Sequence, residues 1–218
     1  MREALGFEDV QAILQAVGKR MDENKDFLCQ LDGALGDGDI GLTMSNGFRA
    51  VNDQLRTCTG DDIGKALMSA ALEMGEAVAS TMGTLMSSAL FRAGKAIQGK
   101  TELTAVDVIA LFQAIAQGLK ERGKAIVGDK TILDSLVPAV DAMEVAHSEG
   151  KSMGEMLLAA SEAADKGAKD TIELQSRHGR AARYLERSIG HQDPGAAVGA
   201  LLVKGFSDGV TARLGCVE

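Results

Sequence analysis

The chain reads as an all-α protein, an antiparallel bundle of eight helices, on three observations. Ala, Leu, Met and Gly dominate, aromatic residues make up 3% and tryptophan is absent, so the residues that suit a pleated strand are scarce. Apolar residues recur at helical rather than alternating spacing along most of the sequence. The segments so marked are similar in length and joined by short connections, which makes sequential helices antiparallel neighbours.

The first helix is expected from about Glu8 to Cys29, with Val10, Ile13, Leu14, Val17 and Met21 on one face and Lys19, Arg20, Asp22, Glu23 and Lys25 on the other. The second covers Leu42 to Leu55, and the run Thr57 to Gly60 ends it. Asp61 is the expected N-cap of the third, which reaches about Glu76. The fourth runs from Thr81 to about Ile97, and the small and hydroxyl residues of its first turn suit either a ligand at a helix N-terminus or close helix packing. Thr104 opens the fifth, with Val108, Leu111, Phe112, Ile115 and Leu119 inward and Gly123 at its end. The sixth spans Ile132 to His147, where Pro138 predicts a bend or a late start. Ser152 and Glu155 form a capping box for the seventh, which extends to about Leu174. Pro194 starts the eighth as a good first-turn residue.

This up-and-down order brings alternate connections to the same end. The connections at residues 32 to 41, 77 to 80, 123 to 131 and 175 to 193 should therefore share one end, and they are the most polar and glycine-rich joints of the chain. Topology alone places a site there. The stretch from Leu31 to Met44 concentrates its chemistry: Asp32, Asp37 and Asp39 fall within eight positions, interleaved with glycine. Glycine opens backbone conformations that let such carboxylates converge, and converging carboxylates call for a cation. Gly36-x-Gly38-x-x-Gly41 imitates a dinucleotide fingerprint, but no strand precedes it and its intervening residues are acidic. An EF-hand loop fails because the twelfth position from Asp37 is Phe48, where a bidentate glutamate is needed. Two readings stand: an all-oxygen site for a hard divalent ion with a phosphate ligand as companion, or aspartates that cap a helix in a polar loop.

Length and charge set bounds. At 218 residues the chain fits one large domain, taken here as residues 1 to 218, with a sizeable core. A net charge of −8 argues against a nucleic-acid partner held through phosphates and requires metal ions to mediate contact with any anionic nucleotide. No apolar run has membrane-span length and Met1-Arg2-Glu3-Ala4 lacks a signal peptide's core. Cys29, Cys58 and Cys216, without metal-ligand spacing, read as reduced thiols of a cytoplasmic protein. The longest joint, Ser176 to Pro194, carries Arg177, Arg180, Arg183 and Arg187 and the single tyrosine, and would either complement phosphates or lie as a solvated basic loop on an acidic surface. His191 in the same joint could ligand a metal or contact a substrate, although a lone loop histidine usually does neither, and His147 and His178 carry no assignment.

Three motifs in order now support a resemblance. Leu31-Asp32 with Gly36-Asp37-Gly38-Asp39, then Gly128-Asp129-Lys130-Thr131, then Gly179-Arg180 and Glu186 through Ala196 resemble the nucleotide-binding L subunit of dihydroxyacetone kinases over nearly the whole chain. The resemblance implies an eight-helix up-and-down barrel with ADP or ATP at one end, held through two magnesium ions by Asp32, Asp37 and Asp39. It implies nucleotide contacts at Ile40, Gly41, Leu42 and Thr43, at Met82 and Gly83, at Gly123, Ile132 and Arg180, and at Asp193, Pro194 and Gly195. It further implies a separate K subunit that holds the ketose; a homodimer is a further partner state that the sequence leaves open. Two signals point to different phosphoryl donors. Ile40 and Thr43 stand where the phosphotransferase-system type usually has His and Asn, which favours ATP, while Ser188-Ile189-Gly190-His191-Gln192-Asp193-Pro194-Gly195 resembles that phosphotransferase-system type. Its phosphate turn is Ser80-Thr81-Met82-Gly83-Thr84, a departure from the family's Gly-Ser/Thr-Ser-Gly. The expected activity is phosphoryl transfer to a ketose hydroxyl with the partner's help. The rivals are an ADP-carrying coenzyme module rephosphorylated in place by a phosphotransferase protein, and a structural helical protein with an incidental acidic loop.

Overall fold

A computed structural model describes residues 4–215, so Cys216 and Met1 to Glu3 lie outside the described residues. Nine α-helices occur among the described residues: α1 (Phe7–Glu23), α2 (Lys25–Leu35), α3 (Ile40–Thr57), α4 (Ile63–Ala77), α5 (Thr81–Ala96), α6 (Ala105–Gly123), α7 (Leu133–Ser148), α8 (Met153–Asp170) and α9 (Pro194–Leu214). Short 3-10 segments cover Thr171–Glu173 and Ala181–Ser188. Two two-residue strands, β1 (Leu5–Gly6) and β2 (Glu102–Leu103), pair antiparallel with Leu5 opposite Leu103.

The single first helix of the sequence reading is broken at Asn24, where the backbone turns to φ −104°, ψ 11°. The Asn24 amide Nδ2 donates to the Arg20 carbonyl at 2.9 Å, a local bond that competes with the helical ladder. The chain then resumes as α2 through Leu35, so Asp32 stands on a helix and not in the loop. The other starts follow local chemistry. Ser80 Oγ accepts from Gly83 N at 3.0 Å, and the capping boxes of Thr104 with Asp107 and of Ser152 with Glu155 both form. The third expected helix is capped by Asp62 in place of Asp61, with the Asp62 carboxylate accepting from Lys65 N. Pro138 lies inside α7 without delaying its start. The seventh expected helix ends at Asp170, and Thr171 begins the 3-10 turn that follows.

α1 packs on α3, each later helix packs on its successor, and α9 returns to α1, so neighbours follow a closed circuit; α2 lies mainly against α3. The circuit encloses a core of long apolar side chains, with Phe48, Phe112, Met21, Met44, Met74 and Met86 all essentially inaccessible to water. Phe112 and Phe206 meet edge to face, centroids 5.2 Å apart, an arrangement that favours the ring quadrupoles. Cys29 and Cys58 carry free thiols. No helix among the described residues is long and apolar enough to cross a membrane.

Candidate functional site at one end of the helix circuit

All four polar connections named from topology wall one cavity of about 610 Å³. Its lining includes Asp32, Asp37, Asp39 and Ile40, then Ser80 and Met82, then Gly123, Lys130 and Ile132, then Ser176, Arg180 and Asp193 to Gly195. Met82, Leu85, Leu119, Ile132 and Leu133 give it an apolar wall, and the aspartates with Arg180 give it a charged one. An apolar cleft with a few convergent polar groups is the usual form of a small-molecule site.

The aspartates converge because α2 ends where α3 begins. Asp32 sits on the last turn of α2 and its Oδ2 accepts from the Asp39 and Ile40 amides at 3.0 and 3.4 Å. Gly38 turns the chain between them at φ +75°, a conformation that favours glycine. One oxygen from each of Asp32, Asp37 and Asp39 lies within 4.8 Å of the others. Asp39 is the N-cap of α3 by position, yet its side chain makes no capping bond. The capping alternative therefore describes Asp32, which serves both roles, and not Asp39. Burial, and then the charges of Asp37 and Asp32, push the Asp39 carboxyl above its ordinary range. That arrangement suits a hard divalent cation, since three oxygen donors and their unbalanced negative charge are what magnesium takes. The Arg180 guanidinium supplies part of the compensation, with an Nη 2.7 Å from Asp37 Oδ2.

Of the residues named for nucleotide contact, Ile40, Met82, Gly123, Ile132, Arg180, Asp193, Pro194 and Gly195 line the cavity. Gly41, Leu42, Thr43 and Gly83 are not among its lining residues. The 3.6-residue period turns only Ile40 of the α3 first turn inward; Leu42 is half exposed, Thr43 is buried in the helix packing, and a Cβ on Gly41 would collide with the Lys25 carbonyl of α2. Gly83 gives its amide to Ser80 Oγ and packs on Val78.

Four participants carried no role in the sequence reading. Asp134, buried in the first turn of α7, accepts from Gly128 N at 2.5 Å and Thr131 N at 2.6 Å and so closes the preceding turn. Asp129 accepts from Ile126 N at 3.0 Å and pairs with His178 at 3.0 Å; the bond to the Ile126 amide comes first among the influences that hold its carboxyl below the usual range. Lys130 is buried with its ammonium bonded to the Leu174 and Ser188 carbonyls. Ser176 is buried and its hydroxyl has no protein partner. Only the motif Gly128-Asp129-Lys130-Thr131 marked this turn in the sequence. Asp193 caps α9 by accepting from Ala196 N at 2.7 Å and its amide donates to Thr171 Oγ1 at 3.0 Å, while burial pushes its carboxyl up to about 7.

The DAK2 domain profile matches residues 34–208. The chain belongs to the DAK2 domain family. This DAK2 chain is 37% identical over 183 residues to the PEP-dependent dihydroxyacetone kinase ADP-binding subunit of Escherichia coli, covering 84% of this chain and 87% of that protein. It is 34% identical to an ADP-binding subunit of PEP-dependent dihydroxyacetone kinase 2 of Listeria innocua, covering 84% and 86%. Among solved structures it is similar to the dihydroxyacetone kinase of C. freundii in complex with AMP-PNP and Mg2+, with TM-score 0.72 and 25% identity over 91% of this chain. The DAK2 chain spans only 33% of that longer kinase.

Proposed function

We propose that this chain is the nucleotide-binding, phosphoryl-transferring subunit of a dihydroxyacetone or related ketose kinase, acting as one domain over residues 1 to 218 beside a separate K subunit in the cytoplasm. The observation that carries the reading is the convergence of three carboxylates on the wall of a cavity large enough for a nucleotide. On this reading the closed order of helix neighbours is an eight-helix up-and-down barrel, with α1 and α2 together as one of its staves. Asp32, Asp37 and Asp39 would hold two magnesium ions, and magnesium, when bound, neutralises phosphate charge. The chain's own side chains bind and orient. Arg180 offers a planar fork of donors to phosphate oxygens, and the Met82, Leu85, Leu119, Ile132 and Leu133 wall excludes water around an adenine ring. The ketose and its acceptor hydroxyl would be held by the K subunit, as the resemblance implies. The same connections expose Ile126, Val127, Tyr184, Leu185 and Ile189, an apolar rim suited to a docked subunit.

A second reading is favoured by the relatives, since those of E. coli and Listeria are named as ADP-binding subunits of PEP-dependent kinases. In it ADP stays bound as a coenzyme and is rephosphorylated in place by a phosphotransferase protein. Calorimetry with ADP and ATP, with and without magnesium, tests the site; dialysis then separates the two readings, because a coenzyme is retained and a substrate is lost. Absence of magnesium-dependent binding by either nucleotide overturns both. Coupled kinase activity with a K subunit, and none without it, is the expected result; turnover of free dihydroxyacetone by this chain alone contradicts the two-subunit account.

A further inference from the structure

We infer that Lys130 and Ser188 form a buried clamp that positions Arg180 at the aspartate cluster, an inference that rests on the nucleotide-site reading for its binding readout. Lysine ordinarily keeps its ammonium in water. Lys130 is 2% exposed and holds a left-handed backbone at φ +63°. Its Nζ donates to the Leu174 carbonyl at 3.0 Å and the Ser188 carbonyl at 2.6 Å, which lie on either side of the arginine-bearing stretch of the long connection. Ser188, fully buried, continues the clamp: its Oγ accepts from Ser176 N at 2.9 Å and donates to the Leu185 carbonyl at 2.6 Å. Leu185 is held at φ +52°, ψ −129°, a backbone conformation that a bulky residue keeps only where its surroundings fix it. At the near end, Arg177 N donates to the Asp129 carbonyl at 3.1 Å and His178 meets the Asp129 carboxylate.

Between these fixed points Arg180 reaches outward to the aspartates, 2.7 Å from Asp37. An exposed arginine alone holds one such geometry poorly, because its long side chain loses rotamer freedom in doing so. Anchoring the backbone on both sides removes much of that cost before a phosphate arrives. Desolvation of the ammonium, which pushes the Lys130 pKa down, is unfavourable by itself and is offset by its two carbonyl partners. Lys130 and Ser188 are therefore positioning residues that act through Arg180.

The test uses the full chain with Lys130→Met, Ser188→Ala, Arg180→Ala and the double variant Lys130→Met with Arg180→Ala. The first readout needs no ligand: an arginine-specific protease, whose targets here are Arg177, Arg180, Arg183 and Arg187, should cut the connection of Lys130→Met at least roughly tenfold faster than wild type, with helical circular dichroism retained. Ser188→Ala leaves Lys130 in place and should show the same direction, which keeps the inference testable if Lys130→Met does not fold. The second readout is Mg-ADP affinity. Lys130→Met should lose affinity when Arg180 is present and lose nothing further in the Arg180→Ala background. Unchanged cleavage in both single variants overturns the clamp. An equal loss with and without Arg180 overturns it too, because Lys130 would then contact ligand directly or act through the core. If wild type binds no Mg-ADP, the nucleotide-site reading fails and the cleavage arm still decides the clamp.

Discussion

Asp193 supplies the sharpest stability prediction. Its carboxylate caps α9 through Ala196 N, and burial nonetheless drives it up to about 7, with Asp134 adding repulsion and Lys130 relieving part of it. Because the folded pKa lies above the ordinary 3.8, the folded chain holds this proton more tightly than the unfolded chain does. The stabilisation is fully present below about pH 4 and is lost as pH rises through about 7. A change from 3.8 to about 7 corresponds to about 4 kcal/mol at alkaline pH, by the relation of about 1.4 kcal/mol per pH unit. Asp193→Asn keeps a capping oxygen and removes the charge. Urea unfolding of both chains from pH 4 to 9 should therefore show no large difference at pH 4, and the Asp193→Asn variant should be more stable by a few kcal/mol at pH 8.5. Taking the difference between the two chains cancels the acidic groups whose pKa is lowered, such as Asp129 and Asp62. A variant no more stable than wild type at pH 8.5, or a gap that does not widen with pH, refutes the reasoning. The same protonation has a bearing on ligand: an Asp193 carboxyl about half protonated near pH 7 spares an anionic nucleotide part of one repulsive charge on the cavity wall.

Asp37→Ala should abolish magnesium-dependent nucleotide binding in calorimetry while leaving helical circular dichroism nearly unchanged, since Asp37 is exposed and pairs with Arg180 alone among the ion pairs described. Arg180→Ala should change two affinities in opposite directions: Mn2+ alone binds a few-fold tighter, the limit set by losing one exposed ion pair, while Mg-ADP binds more weakly. Gly41→Ala should destabilise the chain by about 2 kcal/mol or more in urea unfolding and weaken cation binding, because a Cβ there collides with the Lys25 carbonyl and comes 2.8 Å from Cys29 Sγ, forcing α2 and α3 apart beneath the aspartates. Ser80→Ala should cost about 1 kcal/mol of stability by removing the α5 cap.

Most of the helices were legible because their signals are local. Thr104 with Asp107, Ser152 with Glu155, and Pro194 after Asp193 fix helix starts within a few residues of sequence. The end-sharing of the four connections was legible as well, since it follows from counting antiparallel helices. What escaped either leaves the apolar spacing unchanged or has non-local causes. The break at Asn24 depends on one side chain turning back to the Arg20 carbonyl, and the apolar spacing continues straight through it. Asp32 therefore moved from loop to helix, which changes its partner set without removing it from the cluster. The β1 and β2 pairing joins residues far apart in a composition that disfavours strands. Lys130 gave no signal of burial, because a lysine in a polar turn is ordinarily solvated and the carbonyls that hold it come from a connection more than forty positions away.

On the proposed reading, the arrangement also lets an acidic chain bind an anion. With a net charge of −8, the surface as a whole repels a nucleotide. The cavity gathers the exceptions: Arg180 from the long connection, Arg122 at the end of α6, and Lys130 beneath. The three carboxylates work against that purpose until their spacing is considered. Burial raises the Asp39 carboxyl, and the charges of Asp37 and Asp32, with oxygens within 4.8 Å of one another, raise it further, so added positive charge stabilises the site. One guanidinium compensates a fraction of that, through a single contact to Asp37. On that reading, the same geometry that makes the cluster unfavourable by itself should make a divalent cation and a phosphate bind together better than either binds alone. Nucleotide affinity should accordingly fall steeply on chelation with EDTA and recover on adding magnesium, and a nucleotide that binds equally well in EDTA contradicts the coupling.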